Sequence, residues 1–187
     1  VSRTTVRNAI NRLVTLGLLE HRQGQGTFVV TFGETKNNPL ATILSIDNVS
    51  IGDLLEVRMG LECNSARLAA MRSNDQDLLR LEKSILEMEE VVGKGDLGNE
   101  ADAAFHMAIS FATKNPVQIQ LMRNFYDLLF FGIKQNLSHL YDDPVNIEIV
   151  RKAHKKTFDA ISERKPLEAE EAMREHISSV HEYLKKN

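Results

Sequence analysis

The sequence has few of the features that would place it in a membrane or in an oxidising compartment. It contains one cysteine and no tryptophan, and no apolar run approaches the roughly 18 residues of a membrane span. The single cysteine, Cys63, excludes an intrachain disulfide and a cysteine-based zinc cluster. The first residues show no basic region followed by an apolar one. We therefore expect no secretion signal, no membrane association and a cytoplasmic location.

Only four prolines and ten glycines interrupt the 187 residues, which favours a mostly helical chain. Hydrophobic residues make up 42% and charged residues 26%, as in ordinary globular proteins, and this argues against disorder. The net charge of −3 is unevenly distributed, with +3 in residues 1–30 and −6 in the remainder. A small basic head on an acidic body indicates that the head contacts an anionic polymer.

The basic head is predicted to contain one helix and one hairpin. Residues 2–16 have apolar side chains at helical spacing, with Ser2 as the N-cap and Gly17 as the end. Two β-prone runs follow at 18–22 and 27–31, separated by the sequence Gln-Gly-Gln-Gly. This pattern predicts a hairpin with a glycine-rich tip.

The rest of the chain is predicted to be helical after a polar linker at 33–50, which leaves room for a short helix at 40–46. Glycine, proline or Asx residues separate six long amphipathic segments. Their expected ranges are 51–73, 75–93, 96–113, 116–139, 145–164 and 166–185. Six or seven such helices predict an all-α antiparallel bundle. The predicted fold is therefore mainly α, a head at 1–32 followed by a bundle at 51–187.

The first two turns of the N-terminal helix carry side chains suited to DNA. These are Arg3, Thr4, Thr5 and Arg7. Arginines pair with guanine edges and hydroxyls bind phosphates when such a helix enters the major groove. The hairpin tip, Gly24, Gln25 and Gly26, would lie against the neighbouring DNA backbone. On residue types alone, a helix and a hairpin with solvated arginines is an equally good interpretation.

A family resemblance decides between these interpretations. The pattern Ser-Arg-x-x-Val-Arg-x-Ala, then Gly-Leu, then Gly-x-Gly-Thr-Phe-Val over residues 2–29 resembles the second half of the winged helix-turn-helix in GntR-family transcription regulators. The resemblance implies that Arg3 to Arg7 lie on the recognition helix and Gly24 to Gly26 at the wing tip. The family domain begins with two further helices that this sequence lacks. We therefore expect a truncated form of a longer protein, one that binds DNA poorly by itself.

Four potential metal ligands replace apolar residues on the inward stripes of three predicted helices. They are Asp102, His106, His154 and His176. An unpaired buried polar group costs about 1–3 kcal/mol, so each needs a partner. A single histidine of this kind is more often a satisfied core group, but four together favour one shared divalent ion, Zn, Ni, Co or Mn. The remaining histidines are predicted not to be metal ligands, and they are His21, His139 and His181.

This half also resembles a known domain. The segments Asp-Ala-Ala-Phe-His at 102–106, Ala-His at 153–154 and Ala-Met-Arg-Glu-His-Ile at 172–177 are similar to the FCD ligand-binding domain of the FadR subfamily within the GntR family. The similarity extends over about residues 51–185. It implies that the four residues named above hold a metal.

Arg58 lies on an inward stripe of the first long helix, between Leu54 and Leu61. One interpretation is a structural ion pair, with Glu62 at i+4 or with a carboxylate of another helix. The other is a clamp for the carboxylate of a ligand, since a planar guanidinium suits that geometry. The resemblance favours the clamp, because FCD domains commonly bind small organic acids beside the metal.

The function predicted from these features is a homodimeric transcription regulator that binds double-stranded operator DNA and responds to a small carboxylate effector. Catalysis is disfavoured because the sequence has no His-Asp dipeptide, no Glu-x-x-His, no Gly-x-Ser-x-Gly and no phosphate loop. A metallohydrolase or oxygenase is the alternative from another class. A metal that only stabilises a dimerisation bundle is the third interpretation.

Overall fold

The chain forms one hairpin and a series of long helices in the computed structural model, which describes residues 2–15, 19–29, 40, 49–93, 99–138 and 144–186. The head contains α1 (Arg3–Thr15), β1 (Leu19–Arg22) and β2 (Gly26–Val29). The helices that follow are α2 (Ile51–Arg72), α3 (Asp75–Gly93), α4 (Asn99–Ala112), α5 (Pro116–Ser138), α6 (Pro144–Ser162) and α7 (Pro166–Lys186). The predicted fold class, a partial winged helix-turn-helix followed by an all-α bundle, is confirmed.

The ends of the elements agree with the predictions to within three residues wherever both are described. Ser2 caps α1, since its Oγ accepts a hydrogen bond from the Thr5 amide at 3.1 Å. The strand β2 begins at Gly26, one residue earlier than predicted. The linker lies outside the described residues except at positions 40, 49 and 50, and so does most of the short helix considered at 40–46.

Two glycines shape the tip of the hairpin. Gly24 and Gly26 have φ angles of +74° and +115°, in the region that side chains rarely adopt. The turn is closed by a hydrogen bond from the Gln25 amide to the Arg22 carbonyl at 3.0 Å. A substitution at either glycine would strain the backbone although the space around it is open.

The apolar face of α1 is only partly covered. Val6 is 47% exposed and Leu13 is 38% exposed, while the helix packs chiefly against β1. The helical spacing of the apolar residues in 2–16 predicts that they point into a core, and this prediction is wrong for these two side chains. A four-residue strand is too short to cover a helix of 13 residues.

The long helices begin where local chemistry satisfies their free amide groups. Pro116 and Pro166 occupy first helical positions, where a missing N–H costs nothing. Ser50 and Asp53 form a capping box at the start of α2, with Asp53 accepting from the Ser50 amide at 2.7 Å. Asn74 caps α3 by accepting from the Asp77 amide at 3.0 Å.

Helix α2 is the centre of the bundle and contacts α4, α5, α6 and α7. Its small residues Ala66 and Ala69 are fully buried and allow close approach of neighbouring helices. One apolar cluster joins α2, α3, α4, α6 and α7, and a second joins α2, α4 and α5. None of the described helices is both long and apolar enough to cross a membrane.

Candidate functional site

Three helices bring four potential metal ligands together inside the bundle. Asp102 and His106 lie four residues apart on α4, and α6 and α7 contribute His154 and His176. One ligand atom from each residue lies within 4.8 Å of the others. The three histidines are almost completely buried. The ring of Phe105 stacks on that of His154 at 4.4 Å between centroids and so helps to orient it.

The separations between the ligand atoms suit a single metal ion. The Nε2 atom of His176 lies 3.2 Å from Nε2 of His154 and 3.3 Å from Nε2 of His106. Two nitrogens on one ion at about 2.1 Å would be about 3.0 Å apart at a right angle and about 3.4 Å apart at the tetrahedral angle. Oδ1 of Asp102 lies 3.3 Å from Nε2 of His154 and 3.6 Å from Nε2 of His106. These four separations are compatible with ligation of one ion, whereas any pair near the 4.8 Å limit of the cluster would have to approach to below about 4.2 Å.

The electrostatics also favour metal ligation. Burial lowers the pKa of His154 to about 3, and burial together with the neighbouring histidines lowers the pKa of His176 well below its usual value. Burial alone would raise the pKa of Asp102, but His106, His154 and Arg58 hold it far below its usual range. Burial would lower the pKa of His106 as well, but the carboxylates of Glu62 and Asp102 raise it. His154 and His176 are therefore neutral imidazoles and Asp102 is an ionised carboxylate, which are the protonation states that metal binding requires.

A second group of buried polar residues lies behind His106. Glu62 of α2 is 1% exposed, and its Oε2 contacts Nδ1 of His106, the ring atom opposite the cluster. Its Oε1 accepts hydrogen bonds from Arg58 Nε at 2.6 Å and from the Tyr126 hydroxyl at 2.9 Å. Burial would raise the pKa of Glu62, but Arg58 and His106 lower it to about 2. The carboxylate is therefore ionised and fully engaged.

Arg58 is 2% exposed and belongs to this group. The ion pair with Glu62, one of the two interpretations of this arginine, is present in the structure. Its terminal NH2 nitrogen lies 3.0 Å from Nε2 of His106 and donates to the Tyr126 hydroxyl at 3.2 Å. The guanidinium thus lies beside the cluster as expected, and its role in holding an effector stays a prediction.

Sequence reasoning missed Tyr126 and considered Glu62 only as a partner of Arg58. The position of Glu62 on the inward face of α2, one turn after an arginine, was an available signal. No sequence signal marked Tyr126 as a site residue, because it follows Phe125 in a helix rich in apolar residues. Three histidines were predicted not to be metal ligands. Nδ1 of His21 lies 2.9 Å from the Thr27 hydroxyl, and His181 lies on α7 away from the cluster. His139 falls outside the described residues.

The four predicted DNA-contacting residues of α1 are all exposed, as are the three residues of the hairpin tip. The Arg22 guanidinium lies over the Phe28 ring at 4.8 Å, which stiffens the hairpin. The helix and the tip thus present polar groups to solvent. Their contact with DNA stays a prediction.

Comparison with protein families defines the class of protein. The FCD domain matches residues 53–179, which is more than half of the chain, and the family described as bacterial regulatory proteins, gntR family, matches residues 1–29. The class is that of bacterial regulatory proteins with a gntR-family head and a helical FCD domain. The chain belongs to the GntR family and contains an FCD domain.

Named relatives agree with this family. The chain is 32% identical to the HTH-type transcriptional regulator LutR of Bacillus subtilis (strain 168), over 98% of this chain and 85% of that protein. It is 34% identical to an Escherichia coli (strain K12) protein named as a regulatory protein of the L-lactate dehydrogenase operon, over 100% of this chain and 73% of that protein. A solved structure of Streptococcus agalactiae GntR is 32% identical with a TM-score of 0.64, over 96% of this chain and 82% of that one.

Proposed function

We propose that this GntR-family regulator senses a small organic acid through a divalent metal in its FCD domain. The observation that carries the proposal is the buried cluster, whose four ligand atoms lie within 4.8 Å of one another. The cluster lies beside a guanidinium, an arrangement suited to an anion. We divide the chain into three parts: residues 1–32 would contact DNA, residues 33–50 would be the linker, and residues 51–187 would form the sensor domain. We assign the protein to the FadR subfamily.

Asp102, His106, His154 and His176 would hold the metal, with Zn, Ni, Co or Mn as the candidate ions. The ion would act as a Lewis acid toward the carboxylate of the effector. Four protein ligands leave two further positions on a six-coordinate ion, which suits a chelating hydroxy acid or keto acid. L-lactate is a natural first probe, because one relative is named for an L-lactate dehydrogenase operon.

The acid would alter DNA binding by shifting the helices that carry the cluster. His106 of α4 contacts Arg58 and Glu62 of α2, the helix that contacts most of the bundle, and its Nε2 lies beside His176 of α7. A ligand shifts the equilibrium between two arrangements of the helices only as far as its affinities for the two arrangements differ. We further propose a homodimer whose two heads bind two operator half-sites.

A DNA-binding titration tests the proposal. The protein is loaded with zinc, and its affinity for a duplex selected from a random library is measured with and without L-lactate, citrate and glucuronate. An acid that changes the affinity only in the presence of zinc supports a metal-dependent sensor. Zinc-dependent stability with no effect of any acid on DNA affinity or melting temperature would instead indicate a metal with a purely structural role.

Arg7→Ala is expected to weaken specific DNA binding by about 1–3 kcal/mol, because we propose that this exposed arginine in the second turn of α1 pairs with a guanine. A band-shift titration of the full-length protein measures this loss. Glu20→Gln in β1 is the control, since it removes a negative charge from the same head and should not weaken binding. Unchanged affinity of Arg7→Ala would remove Arg7 from the DNA interface.

Arg58→Lys is expected to weaken the binding of a responsive acid by about 1.5–3 kcal/mol, the range for a hydrogen bond to a charged group. Lysine keeps the positive charge beside Glu62 but loses the planar fork. Calorimetric titration of the acid into zinc-loaded protein measures the change. Affinity within about two-fold of wild type would make Arg58 a structural residue only.

A further inference from the structure

Glu62 and His106 contact each other on the side of the His106 ring that faces away from the ligand cluster. Oε2 of Glu62 and Nδ1 of His106 are in contact, and neither atom has a hydrogen-bond partner elsewhere in the described parts of the chain. The other ring nitrogen of His106, Nε2, lies 3.0 Å from the Arg58 NH2 nitrogen, 3.3 Å from His176 and 3.6 Å from Asp102. Nδ1 thus has a carboxylate as its partner, while Nε2 faces the ligand cluster and Arg58.

The carboxylate of Glu62 is held in place from the opposite side. Its Oε1 accepts from Arg58 and Tyr126, which lie on α2 and α5. Rotation of Glu62 away from His106 would break both hydrogen bonds at a side chain that is 1% exposed, which is costly for a buried polar group. The orientation of the His106 ring is therefore determined by residues on two other helices.

We propose that Glu62 is a positioning residue for the metal cluster. By accepting the proton of Nδ1 it orients the ring of His106 so that Nε2 faces the other three ligands, and it makes that nitrogen a stronger donor to a cation. The Nδ1 atoms of His154 and His176 have no hydrogen-bond partner among the described residues. Among the three histidines of the cluster, His106 is thus the one whose Nδ1 contacts a carboxylate in the described residues.

This inference rests on the proposed metal site and adds a residue behind the ligands. Loss of such a partner typically lowers metal affinity 10–100-fold, so Glu62→Gln is expected to weaken zinc binding by about that factor. The measurement is competition with a chromogenic chelator. Glu56→Gln is the matched control, because Glu56 is an exposed glutamate of the same helix, and its zinc affinity should stay within about two-fold of wild type.

A spectroscopic measurement on zinc-loaded wild-type protein needs no substitution and decides the question if Glu62→Gln does not fold. Among the Nδ1 protons of the three cluster histidines, that of His106 is expected to resonate furthest downfield and to exchange most slowly with water. A His106 proton that resembles the other two would overturn the inference.

The outcomes separate this inference from the proposed function. Wild-type protein that binds no zinc, nickel, cobalt or manganese would refute the metal site, and the role of Glu62 with it. Wild-type protein that binds zinc tightly while Glu62→Gln binds it within about two-fold would refute only the positioning role.

Discussion

Arg58→Met is expected to lower the free energy of unfolding by about 3–5 kcal/mol, the range for removing one partner of a buried ion pair. Glu62 would then be a buried carboxylate without its cation, retaining only Tyr126 and His106 as partners. Methionine fills most of the volume of the arginine stem, so the loss is chiefly electrostatic. Urea denaturation at neutral pH and at one fixed metal concentration measures the change.

Arg67→Met on the same helix is the matched control for this substitution. The Arg67 side chain is 40% exposed, and its contact with Glu170 is 3.7 Å long. Exposed pairs of this kind contribute about 0–1 kcal/mol. The double substitution Arg58→Met with Glu62→Leu should lose less stability than Arg58→Met alone, because no charge remains buried without a partner. A loss below about 1 kcal/mol for Arg58→Met would contradict the account of the ion pair.

The helices of the body were predictable from the sequence because their ends carry explicit signals. Pro116 and Pro166 begin α5 and α7, and Asn74 caps α3. Such signals act over a few residues and need no knowledge of tertiary contacts. The start of β2 was less predictable, since Gly26 pairs with Arg22 although its φ of +115° is typical of a turn.

The members of the candidate site were predictable for a different reason. A histidine or aspartate on an otherwise apolar stripe indicates a buried polar group, and His154 and His176 are indeed completely buried. Spacing along one helix also placed Asp102 beside His106. The distances between α4, α6 and α7 were not predictable, because they depend on how side chains of different helices pack.

The partner of Arg58 illustrates where sequence reasoning stops. A glutamate at i+4 was visible, but an inward arginine on a central helix faces several helices, and each one can supply a carboxylate. The contact of Glu62 with both Arg58 and His106 depends on the approach of α4 to α2. The exposed side chains Val6 and Leu13 show the converse case, in which the amphipathic pattern of α1 was clear but did not predict how little of its apolar face β1 covers.

His176→Ala is expected to abolish stoichiometric metal binding and to remove the stabilisation that the metal confers. Protein purified without an affinity tag should contain about one ion per chain, and the variant should contain far less. A ligand that binds only the folded state stabilises it by about 4 kcal/mol at a thousand-fold excess over its dissociation constant. Added zinc should therefore raise the melting temperature of wild-type protein by several degrees and leave that of His176→Ala nearly unchanged.

The zinc-dependent shift, rather than the melting temperature itself, is the informative quantity. His176→Ala also leaves a cavity in the core, which costs stability without any metal. Comparing each protein with and without a chelator cancels this cost. His181→Ala is the control, since His181 lies on the same helix and away from the cluster, and it should keep the full shift. An equal zinc-dependent shift in His176→Ala and wild type would refute the assignment of His176 as a metal ligand, because removing one of four ligands cannot leave the binding free energy unchanged.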